Sequence, residues 1–144
     1  MHMSTIPFDT TDWAEIEPTR HAGTSGEALW RTRHVGPAEN PIRVRMVEYS
    51  PGYVADHWCQ KGHVLLVLEG ELETTLADGR VFLLKPGMSY QVADGAEPHM
   101  SRTATGAKLF IVDQAFYCGL SIFKPSDFTW RLGKCDQTTN HFQA

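Results

Sequence analysis

Short runs of alternating apolar and polar residues, cut at close intervals by glycine and proline, fill most of the chain between residues 28 and 112. A period of two puts every second side chain on one face of a strand. The pattern predicts strands at 28–35, 42–49, 64–68, 72–76, 80–84, 88–92, 99–103 and 108–112. The segments between them, among them Gly36-Pro37-Ala38-Glu39-Asn40-Pro41, Ala77-Asp78-Gly79 and Pro86-Gly87, have turn composition. In 42–49, Ile42, Val44 and Met46 alternate with Arg43 and Arg45, which predicts one buried face with the arginines in water. No long helix and no strand-helix alternation interrupts the series, so the expected fold is an all-β antiparallel sandwich or barrel.

The two ends read differently. Asp9-Thr10-Thr11-Asp12 offers caps for a helical turn from Trp13 to Ile16, stopped by Pro18. Phe8, Trp13 and Ile16 then form an apolar flap over the outside of a sheet. Beyond Gln114, the aromatic residues Phe116, Tyr117, Phe123, Phe128 and Trp130 are too many for a disordered tail. They predict a segment, 116–132, packed on the barrel or on a second subunit. The expected division is therefore an N-terminal segment at 1–20, a barrel domain at 21–113 and a C-terminal extension at 114–144. A chain of 144 residues suffices for one such domain with its own core.

Charge narrows the partners. A formal net charge of -4 and a pI near 5.9 provide no attraction for nucleic acid or an anionic membrane. No apolar run reaches the roughly 20 residues of a bilayer span, and no secretory signal is visible, so a cytoplasmic protein is expected. The three cysteines, Cys59, Cys118 and Cys135, are odd in number and contain no CxxC pair, which fits reduced thiols. Cys118, Cys135 and His141 are too far apart for a recognised ligand spacing.

The chemistry gathers between Gly52 and Gly70. His57, Cys59 and His63 share one parity, with Leu65 and Val67 continuing the same face as an apolar wall. Lys61 and Gly62 interrupt the strand, so His63 meets the other two across a tight turn. That arrangement predicts a metal or substrate site at the open end of a small barrel. Tyr53 shares the inward face and is a candidate to line the pocket, or else to fill the barrel as a core aromatic.

The same residues resemble the first motif of the cupins, jelly-roll barrels that carry Gly, His-x-His, a Glu and a later Gly. His57 stands at the first His, Cys59 at the second, and His63 at the Glu, with Gly70 seven residues after it. The stretch 79–99 resembles the second motif: Lys85-Pro86-Gly87 matches its turn and His99 its closing His, although Ala93 replaces the usual Pro. More narrowly, Ala55-Asp56-His57-Trp58-Cys59-Gln60-Lys61-Gly62-His63 is similar to the small cupins named for an Asp-His-Cys-Trp motif, a likeness covering roughly residues 6–113. The resemblance implies a single cupin-type jelly-roll barrel, a metal held by His57, Cys59, His63 and His99, and a homodimer.

Two or three imidazoles with a thiolate suit a divalent transition metal, Zn, Fe, Ni or Cu, and disfavour Mg or Ca, which prefer oxygen ligands. Asp56 is placed to orient an imidazole. The expected function is a metal-binding barrel, either an oxygenase or isomerase acting on a small polar molecule at the barrel mouth, or a non-catalytic ligand or metal sensor.

Overall fold

Glycine and proline punctuation sets where each strand begins and ends in the computed structural model, which describes residues 5–115. Asp12 caps a single 3-10 turn, Trp13–Glu15, its carboxylate accepting from the Ala14 N–H at 2.9 Å. Nine strands follow: β1 (Thr19–Ala22), β2 (Glu27–Val35), β3 (Ile42–Tyr49), β4 (His63–Gly70), β5 (Leu72–Leu76), β6 (Val81–Leu84), β7 (Ser89–Val92), β8 (His99–Arg102) and β9 (Ala107–Gln114). β1 has no apolar alternation and was not expected. It forms by pairing along β2, Arg20 opposite Leu29 and His21 opposite Ala28.

The strands build two antiparallel sheets, one in the order β1-β2-β3-β9-β4-β7 and one in the order β6-β5-β8. Their inner faces enclose a core that includes Trp30, Val47, Leu65, Val67, Leu72, Leu109 and Ile111. The result is a jelly-roll barrel, within the sandwich-or-barrel class the alternation predicts and of the type the cupin resemblance implies. The first half of the Gly52-to-Gly70 segment, the stretch that organises the site, is no regular strand. It crosses between the sheets through isolated bridges, Val54 to Ser25 and Arg102, and Cys59 to His99. β6 and β7 are both edge strands, so the barrel has an open seam between them. Among the described residues, no helix is long and apolar enough to cross a membrane.

Register explains what faces inward. One row across the large sheet runs His34, Arg43, Asp113, His63, Val92, and the next runs Thr32, Arg45, Ile111, Leu65, Tyr90. Arg45 shares the parity of buried Val47 and Tyr49 and is itself fully buried, which corrects the expectation that it faces water. Val44 and Met46 instead take the outer face, where they are only half-buried. That face is apolar because the N-terminal segment covers part of it: Trp13 packs edge-on against Phe110, the β9 residue lying between Met46 and Leu66. Phe8, expected in the same flap, is 97% exposed.

Burying a guanidinium requires a counter-charge, and Asp113 supplies it. Arg43 grips Asp113 with two hydrogen bonds, Nε and Nη2 each at 2.8 Å, and Arg45 Nη2 donates to the same carboxylate at 2.6 Å. The Trp30 ring lies 4.4 Å from the Arg45 guanidinium carbon and covers one face of the cation. The aromatic segment expected at 116–132, with Cys118, Cys135 and His141, lies outside the described residues, as does His2.

Removing Asp113 leaves two clustered guanidinium groups with no carboxylate between them. Asp113→Ala is expected to lose roughly 3–5 kcal/mol of stability by urea denaturation. A loss below about 1 kcal/mol contradicts this role for the ion pair.

Candidate metal centre

Three donors come together at the end of the barrel where the first row lies. Cys59 and His99 are joined by a reciprocal pair of backbone hydrogen bonds, Cys59 N–H to His99 carbonyl at 2.7 Å and the reverse at 3.0 Å. The pair docks the organising stretch on the first residue of β8. His63 opens β4, and its ring centroid lies 5.0 Å from that of His99. One ligand atom from each of Cys59, His63 and His99 falls within 4.8 Å of the other two, and all three residues are buried.

Gly62 allows the approach of the stretch to the end of β7. A Cβ at this position would lie 2.5 Å from the Asp94 nitrogen and 2.8 Å from the Ala93 carbonyl carbon, both backbone atoms that cannot easily move aside. Its N–H donates to the Asp94 carboxylate at 2.7 Å, and Lys61 Nζ lies 3.4 Å from the same group.

Hydrogen bonds orient both rings. The Nδ1 of His99 faces the Glu97 carbonyl at 2.9 Å; a carbonyl only accepts, so Nδ1 carries the proton and Nε2 the lone pair. That Nε2 is buried with no hydrogen-bond partner among the described residues. His63 has Nε2 at 2.8 Å from the Tyr90 hydroxyl, and its buried Nδ1, near the Lys61 backbone, makes no hydrogen bond of good geometry among the described residues. Burial, the His99 ring and the Arg45 charge press the His63 pKa down to about 3, so the ring is neutral at ordinary pH. Burial raises the Cys59 thiol and the Tyr90 phenol, which both stay protonated. Two unpartnered imidazole nitrogens beside a thiol form a donor set that fits a transition metal, and outer partners of the Glu97 and Tyr90 kind hold such ligands in place.

Of the expected ligands, Cys59, His63 and His99 converge, whereas His57 lies outside the group. The backbone bends at Asp56 and His57 rather than continuing as a strand, and the His57 Nδ1 lies 2.5 Å from the Asp56 carboxylate. Asp56 thus orients the imidazole next to it in the chain and not one of the three. Tyr53 is a core aromatic stacked on Tyr49, with ring centroids 4.1 Å apart. It does not line the cavity beside His99. Burial and the nearby Asp56 charge push its phenol up to about 12.

Sequence reading missed Tyr90, Arg45 and Asp113. Each had a signal: Tyr90 shares the parity of Val92 on β7, Arg45 that of Val47 and Tyr49, and Asp113 that of Leu109 and Ile111.

No protein-family model matches the chain, and no curated protein matches it. Its backbone does match solved structures. An RmlC-like cupin from Shewanella frigidimarina superposes with a TM-score of 0.55 at 19% identity, over 76% of this chain and 93% of that one. The fold is that of the cupins. A predicted oxalate decarboxylase from Thermotoga maritima has a TM-score of 0.58 at 17% identity, over 72% of this chain and 96% of that one. HppE, solved in its Fe(II) form with the alternative substrate (S)-1-HPP, has a TM-score of 0.58 at 19% identity, over 74% of this chain and 60% of that one. Such identities carry the cupin fold and nothing finer. The narrower likeness to cupins with an Asp-His-Cys-Trp motif rests on sequence resemblance, most specifically the octad from Asp56 to His63.

The depressed His63 pKa has a consequence for acid stability in the metal-free protein. Between about 6.5 in the unfolded chain and about 3 in the folded one, the unfolded state holds a proton that the folded state lacks, so stability falls as pH drops through that window. Urea denaturation from pH 7 to pH 4 is expected to show a slope steeper than that of His63→Gln by up to one proton, about 1.4 kcal/mol per pH unit. Equal slopes contradict a neutral buried His63.

Proposed function

We propose that this chain binds a divalent transition metal through Cys59, His63 and His99 and acts as a metal-dependent enzyme on a small molecule held beside the metal. The observation that carries the proposal is the pair of buried, unpartnered nitrogens, His63 Nδ1 and His99 Nε2, next to the Cys59 thiol. Three protein donors with a further position open are the usual composition of a catalytic site. The thiol favours Zn, Fe, Ni or Cu over Mg or Ca. A similar fold, HppE, is described in its Fe(II) form, and another as a predicted oxalate decarboxylase, which supports metal chemistry in this barrel type.

A bound metal would supply Lewis acidity, and redox capacity where the ion has it. The remaining functions fall to the chain. The Glu97 carbonyl holds the His99 Nδ1 proton and aims Nε2 inward, and the Tyr90 hydroxyl does the corresponding work on His63 Nε2. Cys59 gives up its proton on loading, which makes affinity rise with pH. Surrounding core residues keep bulk water from the donors.

A second reading, a ligand-binding or sensing barrel without turnover, is favoured by Asp113. This buried carboxylate spends both oxygens on Arg43 and Arg45 and is not available as a general base. Homodimerisation belongs to the proposal as well, supported by β1, whose outer edge has no strand partner among the described residues.

Elemental analysis of protein purified without a nickel column is expected to find close to one transition metal per chain. His63→Ala, His99→Ala and Cys59→Ala each lose it, and His57→Ala keeps it. No metal after reconstitution with Fe(II), Zn(II), Ni(II) and Cu(II) overturns the proposal, and loss in His57→Ala returns that imidazole to the ligand set. Light scattering after size exclusion is expected to give twice the 16.2 kDa chain mass; a stable monomer rules out the dimer.

A further inference from the structure

The open seam between β6 and β7 contains a cavity of about 410 Å³. One end is polar, with Thr74, Tyr90 and His99 lining it, and the walls are apolar, formed by Leu76, Phe82, Leu84, Met88 and Val92. Phe82 has the inward parity of Leu84 yet is 47% exposed, because the seam opens over it. Met88, at the turn before β7, is likewise 47% exposed. Arg80 pairs with Glu97 at the rim.

The polar end is incompletely satisfied. Thr74 is 3% exposed, and its Oγ1, close enough to the Tyr90 phenol to act on it, makes no hydrogen bond of good geometry among the described residues. A buried hydroxyl without a partner costs stability, and a valine of the same shape would avoid the cost. A seat of this size, with apolar walls and a few convergent polar groups, has the makeup of a small-ligand site.

We infer that the seam binds a small amphipathic molecule, a compact apolar ring or chain bearing one hydroxyl or carbonyl head, with the head hydrogen-bonded to Thr74 and the body against Phe82, Met88 and Leu84. The seat itself stands on the cavity and Thr74. That the head also faces a metal rests on the proposed centre, since His99 lines both. The ligand enters sideways between the sheets, and its class is more apolar than the polar molecule expected from the sequence.

The test is titration of metal-depleted, isotope-labelled protein with 4-methylphenol, followed by amide chemical shifts, with glycerol as a polar control and toluene as a headless one. Saturable binding of 4-methylphenol is expected, with shifts centred on β5, β6 and β7, and with binding of the controls at least tenfold weaker. Thr74→Val is expected to weaken 4-methylphenol binding by about tenfold, the loss of one hydrogen bond, while raising the melting temperature. Phe82→Glu, at an exposed position, is expected to abolish binding with the fold intact. Glycerol or toluene binding equally well, affinity unchanged in both variants, or no saturable binding overturns the inference. Metal content measured on the undepleted protein separates the two claims: metal without 4-methylphenol binding defeats the seam ligand alone, and 4-methylphenol binding without metal defeats the metal centre alone.

Discussion

A single buried carboxylate, Asp113, anchors the polar end of this barrel. It lies in the middle of the large sheet, next to Arg43 on β3 and to His63 on β4 in the backbone register. Both guanidinium groups converge on it, and one of them, Arg45, is fully buried. Charges in an apolar interior persist only when paired, so Asp113 lets the inner face change from apolar to polar within one strand repeat. Ile111 and Leu109 continue the same face as core. The boundary between packed core and polar end is therefore set by one two-residue step on β9, from Ile111 to Asp113.

The site depends on a second constraint, the backbone pair between Cys59 and His99. Without it the organising stretch has no fixed height on the small sheet, and the thiol has no reason to meet the imidazoles. With it, donors from a bridge, from the start of β4 and from the start of β8 share one small volume. In the resemblance to the cupin motif, His63 stands where the motif has its Glu and Cys59 where it has its second His. Such a set is softer, and the buried carboxylate next to His63 in the backbone register, Asp113, is committed to holding arginines. The cavity beside His99 is lined at its inner end by neutral polar groups, Tyr90 and Thr74.

Much of the fold was legible because the chain is heavily punctuated. Gly-Pro, Asp-Gly and Pro-Gly turns separate runs short enough to be strands and nothing else, so eight of the nine strands coincide with predicted runs. β1 escaped because its pairing with β2, and not its own composition, makes it a strand. The three converging donors were legible from parity and motif resemblance. His57 was grouped with them by the same parity and resemblance; the backbone bends at Asp56 and His57, so it stands apart from the three in this structure. Arg43 and Arg45 were read as solvent-facing because arginine is usually exposed. Only the partner, 68 residues away from Arg45 in the chain, makes its burial tolerable, and no local pattern reports so distant a contact. The seam was invisible for a similar reason, since it arises from strand order.

The central claim is that a thiolate and two imidazoles hold the metal. X-ray absorption at the zinc edge, on protein loaded with one equivalent of Zn(II), measures that donor set directly. The predicted first shell has one sulfur at about 2.3 Å and two imidazole nitrogens at about 2.0–2.1 Å, with the sulfur missing in Cys59→Ser. A shell of nitrogen and oxygen alone in the unaltered protein would contradict it.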